Sequence, residues 1–300
     1  MIKKKNMAGI LTCACLLVLV SLLALAQEEG ASQSFSRIKC EDLKKMIVGK
    51  TISAVDIIEP GSVRNEPGLF KRILNKNRFV DVKRKGKLLI MELSGGKSLL
   101  ARLGMTGQLI YGSGYIPTKH TRAIIGFEDG SKLFFNDIRK FGSLFAATDS
   151  EKDLILKRIG IDPLDKQFSL EYFKALIKNK KKTLKAFLLD QRSVSGIGNI
   201  YADEICFDSK LKPGRNIAGL NDMDIEMLYN SIIRILHLAI KNRGTTFSDY
   251  VDASGKKGRF SGHLKVYGKE KDDCARCKIR SIKKIRVAGR STRFCELCQK

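Results

Sequence analysis

Four cysteines near the C-terminus have the spacing of a metal site. Cys274 and Cys277 form one Cys-x-x-Cys pair, Cys295 and Cys298 form another, and seventeen residues separate the pairs. Each pair can place two thiolates on one tetrahedral ion, and four thiolates leave no open coordination position. The pattern therefore predicts one structural Zn²⁺. A redox or disulfide pair is the alternative interpretation.

The segment between the two cysteine pairs is strongly basic. Ile282, Ile285 and Val287 alternate with lysines and arginines, which predicts a β-hairpin. Arg293 lies beside six further cations, which are Lys278, Arg280, Lys283, Lys284, Arg286 and Arg290. A hairpin with this charge suits contact with phosphate groups.

A second candidate site is the glycine-rich stretch "LLDQRSVSGIGNIYADE". Gly196 and Gly198 allow a tight connection between two helices, and Asn199 follows them directly. Peptide N–H groups at such a turn can hold a phosphate without a side-chain charge. A helical hairpin turn with only a packing role is the alternative interpretation.

Two further segments place cations beside apolar runs. In "NDIRKFGSLF", Arg139 and Lys140 stand next to Phe141 at the end of a β segment, which suits a phosphate contact and an aromatic wedge into a base stack. The alternative places Phe141 in the core. "KRKGKLLI" puts Lys87 just before a strand, where by itself it is an ordinary surface lysine.

The elements that must position these residues change type along the chain. From about Ile52 the pattern is β-rich, with hairpin turns at Gly95-Gly96 and Asp129-Gly130. After Asp149 it becomes helical: Ser169 is a candidate N-cap, and "MDIEMLYNSIIRILHLAIKNRG" has helical apolar spacing. The fold class that this predicts is α+β.

Composition points to a polyanionic partner. The chain of 300 residues carries 56 lysines and arginines against 31 acidic residues, a net charge of +25. Such an excess favours nucleic acid, because each neutralised phosphate releases counterions. A soluble basic protein with a solvated charged face is the alternative.

The start of the chain differs in composition from the basic remainder. Three lysines precede a mostly apolar stretch, residues 7–26, followed by a small-residue exit typical of a signal peptide. The stretch is also long enough to anchor a protein in a membrane. A third interpretation is that it does not belong to the functional protein.

Taken together, the motifs resemble those of the formamidopyrimidine-DNA glycosylase family, the Fpg/Nei base-excision repair enzymes. The matching segments stand in the family's order over residues 48–300; they are "VGKTI", "KGKLLIMEL", "LGMTGQL", "DIRKFG", "LLDQRSVSGIGNIYADE", "GTTFSDYVDASGKKGRF", "VYGKE" and the final cysteine segment with "GRSTRFC". The resemblance implies an N-terminal β-sandwich, a helix–two-turn–helix domain and a C-terminal zinc β-hairpin. We expect these domains at residues 32–150, 160–265 and 266–300, after a signal- or anchor-like segment at 1–26.

The resemblance also implies an activity. Family members excise oxidised purines such as 8-oxoguanine and formamidopyrimidine from double-stranded DNA, and then cut the strand at the abasic site. A monomer in the cytoplasm, at the nucleoid, is the corresponding expectation, whereas the opening segment indicates secretion or a membrane anchor. Membrane contact is expected only if residues 7–26 are a real anchor.

Site residues carry over where the motifs match. The implied catalytic residues are Lys87, near the lesion and its phosphate, and Arg290, linked to phosphate binding and late elimination. The implied DNA-binding residues are Met105, Arg139 and Phe141, which fill the gap left by the flipped base, and His120, Lys181 and Asn199, which contact the backbone. Arg102 stands where the family usually has histidine.

The start of the chain departs from the family pattern. Family members begin Pro-Glu-Leu-Pro-Glu, and the proline amine attacks the sugar C1′ to form a Schiff base, with the glutamate as acid–base. Counting back from "VGKTI", those positions fall on residues 31–37, which read "ASQSFSR". Three hypotheses follow. The first is an enzyme whose N-terminus is replaced or misread in residues 1 to 40, and the second is a damaged-DNA-binding protein without the chemistry. The third is an exported or membrane-tethered basic protein with a relict fold.

Overall fold

The N-terminal half is a sandwich of two antiparallel sheets. In this computed structural model, residues 36–242, 244–245 and 259–300 are described. The strands are β1 (Ile52–Ile57), β2 (Phe79–Lys85), β3 (Leu88–Leu93), β4 (Lys97–Arg102), β5 (Gln108–Gly112), β6 (Thr121–Phe127), β7 (Lys132–Asn136) and β8 (Ser143–Thr148). One sheet has the order β1-β6-β7-β5 and the other β2-β3-β4-β8. Both predicted hairpins are present, as β3–β4 and β6–β7.

The sandwich core lies between the facing sheets. Ile125 and Phe135 from the first sheet pack with Met91 and Leu99 from the second, and all four are buried. Helices α1 (Ser36–Ile47) and α2 (Pro67–Leu74) close the core. Both faces of the second sheet are buried, because α3 (Asp149–Leu156) covers the side opposite the sandwich core. This explains the long apolar run "KLLIMEL", which does not alternate.

The second module is helical. Its helices are α4 (Leu170–Ile177), α5 (Leu184–Leu189), α6 (Asn199–Asp208) and α7 (Asp222–Lys241). Ser169 caps α4 as predicted, since its Oγ accepts a hydrogen bond from the Tyr172 N–H at 3.1 Å. Helix α7 buries Leu228, Ile232 and Leu236 on one face, which confirms the apolar spacing read from the sequence.

The C-terminal module is a two-stranded hairpin, β9 (Lys283–Val287) and β10 (Arg290–Phe294). Its strands pair antiparallel, with Arg290 opposite Val287. Ile282 and Val287 are buried as the alternation predicted, whereas Ile285 is 42% exposed. The α+β fold class, with a sandwich, a helical module and this hairpin, is therefore confirmed.

The sandwich and the helical module meet at the β2–β3 turn. Arg84 of β2 forms a 2.5 Å ion pair with Asp162, and both side chains are largely buried. Lys85 donates to the Leu156 carbonyl at 2.9 Å. Gly86 lies directly against Ser195, in the connection before α6. Lys87, the next residue, is thereby held close to the helical module.

The sequence features at the start of the chain fall outside the described residues. This applies to the apolar stretch 7–26 and to residues 31–35. In the part of the chain that the structure describes, no helix is both long and apolar enough to cross a membrane. Most of the glycine-rich segment "GTTFSDYVDASGKKGRF", residues 246–258, also lies outside the described ranges.

The junction predicts that Gly86→Ala is costly. A Cβ at Gly86 would lie 2.8 Å from the Ser195 Cβ, in a residue with φ of +56°. Gly130→Ala is the matched control, because Gly130 also has a positive φ, +80°, but nothing within 4 Å. We expect Gly86→Ala to lower the free energy of unfolding by about 1–3 kcal/mol more than the control in urea titrations. Equal losses in the two variants would show that the junction is not tightly packed.

Candidate nucleic-acid interface

The turn before α6 is held by one side chain. Gln191 accepts a hydrogen bond from the Gly196 N–H at 3.0 Å and donates to the Ile197 carbonyl at 2.9 Å. Gly196 has φ of +91°, a conformation that favours glycine. Asn199 begins the helix, is 4% exposed, and donates from Nδ2 to the Ser291 carbonyl of β10 at 3.2 Å. The helix turn and the hairpin are therefore in direct contact.

A cleft opens where this turn meets the hairpin. Its volume is about 770 Å³, and the described residues of its walls include four cations and no carboxylate; they are Asn199, Tyr267, Lys284, Ile285, Arg286, Gly289, Arg290, Ser291 and Arg293. The structure therefore brings together Asn199 and Arg290, which the sequence placed far apart. A cleft with cationic walls and backbone donors is suited to an anion such as phosphate.

A buried ion pair connects the elements that form this cleft. Lys185 of α5 lies 2.7 Å from Asp203 of α6, and both side chains are fully buried. Lys185 also donates to the Ser291 carbonyl and the Thr292 hydroxyl, each at 2.8 Å. Asp203 accepts the Arg293 N–H at 3.0 Å. Two helices and one strand are thus joined through a single pair of charges.

Burial and mutual attraction have opposite effects on the pKa values of this pair. Burial lowers the pKa of Lys185 and raises the pKa of Asp203, while their mutual attraction acts in the opposite direction on both groups. The three acceptors around Lys185 and the two donors around Asp203 satisfy the pair by hydrogen bonds. A satisfied pair of this kind fixes the register of the elements that it joins.

The neighbouring acid, Glu204, binds the backbone of the segment that leads to the hairpin. Its carboxylate is buried and accepts three backbone N–H groups, those of Lys265, Val266 and Tyr267, at 2.9 to 3.0 Å. Burial raises the pKa of Glu204 to about 7, although these hydrogen bonds lower it. The carboxylate sets the position of Tyr267, whose ring lines the cleft.

A second group of predicted residues gathers at the edge of the sandwich. An Arg139 Nη1 lies 3.3 Å from the Met105 sulfur, and the Arg139 guanidinium lies 5.0 Å from the centre of the Phe141 ring. Phe141 is 41% exposed, so the interpretation that placed it in the core is wrong. The three residues form one projecting cluster of a thioether, a cation and an aromatic ring.

The loop that carries this cluster is shaped by Asp137. Its buried carboxylate accepts from the N–H groups of Arg139 and Gly142, at 3.2 and 2.6 Å, and from the Thr106 hydroxyl. Its own N–H donates to the carbonyl of His120 at 2.9 Å, which places His120 beside the same loop. Asp137 thus joins the two loops that provide Met105 and Arg139.

The four C-terminal cysteines converge as the spacing predicted. Their sulfur atoms all lie within 4.8 Å of one another. Two of the separations are 3.7 Å, between Cys274 and Cys298, and 3.8 Å, between Cys277 and Cys295. Four thiolates bound at about 2.3 Å to one tetrahedral ion lie about 3.8 Å apart, so the cluster fits such an ion.

The thiols of this cluster differ in their acidity. The N–H of Ile279 and weaker donors lower the pKa of Cys277 to about 7, whereas burial and the neighbouring thiols raise the pKa of Cys298 to about 12. A metal ion binds the deprotonated form, so its binding releases protons from the cluster. The geometry and the donor set fit a metal site.

Comparison with known proteins identifies the family. A model described as the formamidopyrimidine-DNA glycosylase N-terminal domain matches residues 37–144, and one described as the H2TH domain of the same enzymes matches residues 159–251. A formamidopyrimidine-DNA glycosylase from Carboxydothermus hydrogenoformans is 42% identical over 261 residues, which cover 86% of this chain and 95% of the relative. The chain belongs to the formamidopyrimidine-DNA glycosylase family.

Solved structures of the family have the same fold. The MutM (Fpg) protein of Thermus thermophilus is 35% identical, has a TM-score of 0.79, and aligns over 90% of this chain and 98% of that one. A complex of Lactococcus lactis Fpg with DNA containing an abasic site is 32% identical, has a TM-score of 0.83, and aligns over 90% and 100% of the two chains.

The remaining residues implied by the family resemblance lie at other places in the fold. Lys87 is half-buried and follows Gly86 at the module junction. Arg102, at the end of β4, pairs with Leu88 on one side and Ser143 on the other. Lys181 is exposed in the loop before α5, next to Lys182, which pairs with Asp190 at 2.6 Å.

The sequence alone did not identify several residues that position the cleft and the cluster at the edge of the sandwich. They are Asp137, Lys185, Gln191, Asp203 and Glu204. One signal was available for Lys185, because a lysine stands between apolar residues in "TLKAFLLD". The others stand inside the quoted motifs, but only long-range contacts identify their partners.

The cysteine cluster predicts one metal ion per chain. We expect Cys295→Ser to lose the ion and to lower the melting temperature, as measured by elemental analysis and thermal unfolding. Cys40→Ser is the matched control, because Cys40 is buried outside the cluster and donates to the Val82 carbonyl at 3.3 Å, a bond that serine can replace. Metal retention should fall as the pH is lowered, since protons compete for the thiolates. A Cys295→Ser protein with full metal content would contradict the site.

Proposed function

We propose that this protein is a DNA glycosylase that excises oxidised purines, such as 8-oxoguanine and formamidopyrimidine, and then cuts the strand as an AP lyase. The observation that carries the proposal is the cationic cleft at Asn199 and Arg290, which is suited to a DNA phosphate. Related solved structures are complexes of Lactococcus lactis Fpg with DNA containing Fapy-dG or an abasic site.

Phosphate binding supports a duplex substrate. In this proposal a backbone phosphate of the lesion strand enters the cleft and accepts hydrogen bonds at the start of α6 and from Arg290. Charge-assisted contacts of this kind position the duplex without reading its sequence. His120 and Lys181 are proposed to contact further phosphates, and Lys87 the phosphate beside the lesion. The partner is double-stranded DNA, bound by a monomer.

The cluster of Met105, Arg139 and Phe141 supports extrusion of the target base. Removal of a base from the stack leaves a gap, and apolar side chains commonly enter such gaps. Met105 and Phe141 offer the apolar surface, and Arg139 offers donors to the base left opposite. An oxidised or mispaired base leaves the stack at lower cost, which favours lesions over normal pairs.

Zinc is the metal that we propose for the cysteine cluster. Four thiolates in tetrahedral arrangement favour Zn²⁺ and leave no position for a substrate or water, so the ion is structural. Cys274, Cys277, Cys295 and Cys298 would hold it, and they set the position of the hairpin that carries Arg290.

The bond-breaking steps require an amine. We propose that a deprotonated amine attacks C1′ of the damaged nucleotide, and the base leaves with the electron pair of the glycosidic bond and takes up a proton. The C1′–O4′ bond then breaks, O4′ is protonated, and an imine forms at C1′. Loss of a proton from C2′ then expels the 3′ phosphate. A terminal amine is suited to this role because it titrates near pH 8. Residues 31–37 hold no proline or glutamate, so the test must identify the amine. We propose that the enzyme acts in the cytoplasm, where its DNA is.

Borohydride trapping on an 8-oxoguanine duplex tests the proposal. We compare the 300-residue chain with a protein that begins at residue 31 and carries Ala31→Pro and Ser32→Glu. We expect the second protein to form a covalent adduct and to cut the strand. A duplex without a lesion is the control. Salt-sensitive binding of the lesion duplex without any adduct from either protein would contradict the glycosylase and indicate a damaged-DNA-binding protein.

The result with the intact chain then locates the nucleophile. An adduct with the 300-residue protein, followed by digestion and mass spectrometry, identifies which amine formed it. If Lys87 is that amine, Lys87→Gln removes the adduct. If only the protein with the restored start reacts, the nucleophile belongs to that start.

A further inference from the structure

Arg293 has an unusual environment for an arginine. It lies in β10 with its side chain in the wall of the cationic cleft, and it is only 9% exposed. Neither the cysteine spacing nor the helix turn gave it a role. It follows Arg290 by three residues on the same strand and is the third hairpin arginine at the cleft, with Arg286 and Arg290.

Part of the Arg293 side chain is bound by the protein. Its Nε donates to Glu270 at 2.8 Å, and its guanidinium lies 4.1 Å from the centre of the Tyr267 ring. Arginine is planar and presents its donors in a fixed fork, so these two contacts hold the whole group in one orientation. The backbone N–H of Arg293 is bound separately, by Asp203.

One donor of the group remains unsatisfied. Nη1 of Arg293 is buried and has no hydrogen-bond partner among the described residues. A buried donor of a charged group without an acceptor is costly, and such groups commonly mark the position of a ligand. Among the described residues that line the cleft, one further buried side-chain atom lacks a partner, the Oδ1 of Asn199, which is an acceptor and does not bind an anion.

The acceptor that fits this donor is an anion. Lys284, Arg286 and Arg290 lie around the same cleft, and none of its described lining residues is acidic. Arginine binds phosphate oxygens through its planar fork, with more geometric specificity than lysine. Glu270 accepts from Nε, so Nη1 is the donor that remains for a ligand.

We propose that Arg293 is an additional phosphate-binding residue, which donates to the phosphodiester that enters the cleft between α6 and the hairpin. This inference rests on the proposed function, because the phosphate is that of the lesion-strand DNA. In this proposal the phosphate accepts from Nη1 while Glu270 and the Tyr267 ring keep the guanidinium in its orientation. Arg293 thus binds the phosphate directly, as Arg290 and Asn199 do, and does not only position them.

A purely structural arginine is available for comparison in the same module. Arg276 lies 4.2 Å from the centre of the Phe207 ring and donates to the Phe207 carbonyl at 2.8 Å. It does not line the cleft. Arg276→Gln therefore removes one positive charge and one arginine–aromatic contact from the hairpin module without removing a cleft donor.

The salt dependence of binding separates the two roles. The measurement is the affinity of the full chain for a duplex containing an abasic-site analogue, between about 50 and 200 mM salt. Loss of one phosphate contact lowers the slope of log K against log salt by about 0.9. We expect Arg293→Gln to show this decrease and about ten-fold weaker binding. Arg276→Gln should keep the slope of the unmodified chain. Arg293→Lys should also keep this slope but should bind the duplex more weakly.

Each outcome decides the inference. An unchanged slope for Arg293→Gln in a folded protein, verified by its thermal unfolding, overturns the phosphate contact and leaves Arg293 as a support for Tyr267. If Arg293→Gln does not fold, Arg293→Lys is measured in its place. A folded Arg293→Lys protein that loses both the salt slope of the unmodified chain and its affinity for the duplex contradicts a role of the Arg293 charge in binding. If the unmodified chain itself shows no salt-dependent binding of the duplex, the proposed function fails, and not only this inference.

Discussion

The buried ion pair of Lys185 and Asp203 is the constraint on which the phosphate cleft depends. Isolated charges in a protein interior are strongly disfavoured, and removal of one partner of a buried pair typically costs about 3–5 kcal/mol. Here the pair also binds the Ser291 carbonyl, the Thr292 hydroxyl and the Arg293 N–H. The pair therefore binds three successive residues of strand β10 to α5 and α6.

This arrangement explains how separate modules produce one site. Asn199 stands one turn before Asp203 on α6, so the carboxylate that holds β10 also aligns the start of the helix with the hairpin. The cysteine cluster fixes the other end of the hairpin. At the junction with the sandwich, Arg84 and Asp162 form a second buried pair, and Gly86 packs on Ser195. Lys87, the residue after Gly86, is thereby held near the helix turn.

Local sequence patterns predicted the elements and much of the site. The cysteine spacing is short-range information, and the sulfur atoms converge as expected. Turn residues and apolar periodicity located the hairpins and α7, because these elements depend on neighbouring residues. The family motifs identified the sandwich, the helical module and the hairpin in their order.

The contacts that complete the site could not be read in the same way. Asp137 and Thr106 are 31 residues apart, and Lys185 and Thr292 are 107 apart. The apolar neighbours of Lys185 indicate that it is buried, but no local pattern identifies its partners. Phe141 shows the same limit, since its exposure depends on how the Asp137 loop projects. Ile285 alternates like a core residue but lines the cleft.

The affinity of Asp203→Asn for a duplex with an abasic-site analogue tests the central claim most directly. Asp208→Asn is the control, because Asp208 ends the same helix and pairs with the exposed Arg234. We predict that Asp203→Asn loses about 3–5 kcal/mol of unfolding free energy and, at a temperature where it remains folded, binds the duplex at least about ten-fold more weakly. Stability and affinity equal to those of Asp208→Asn would contradict the claim that this pair positions the cleft.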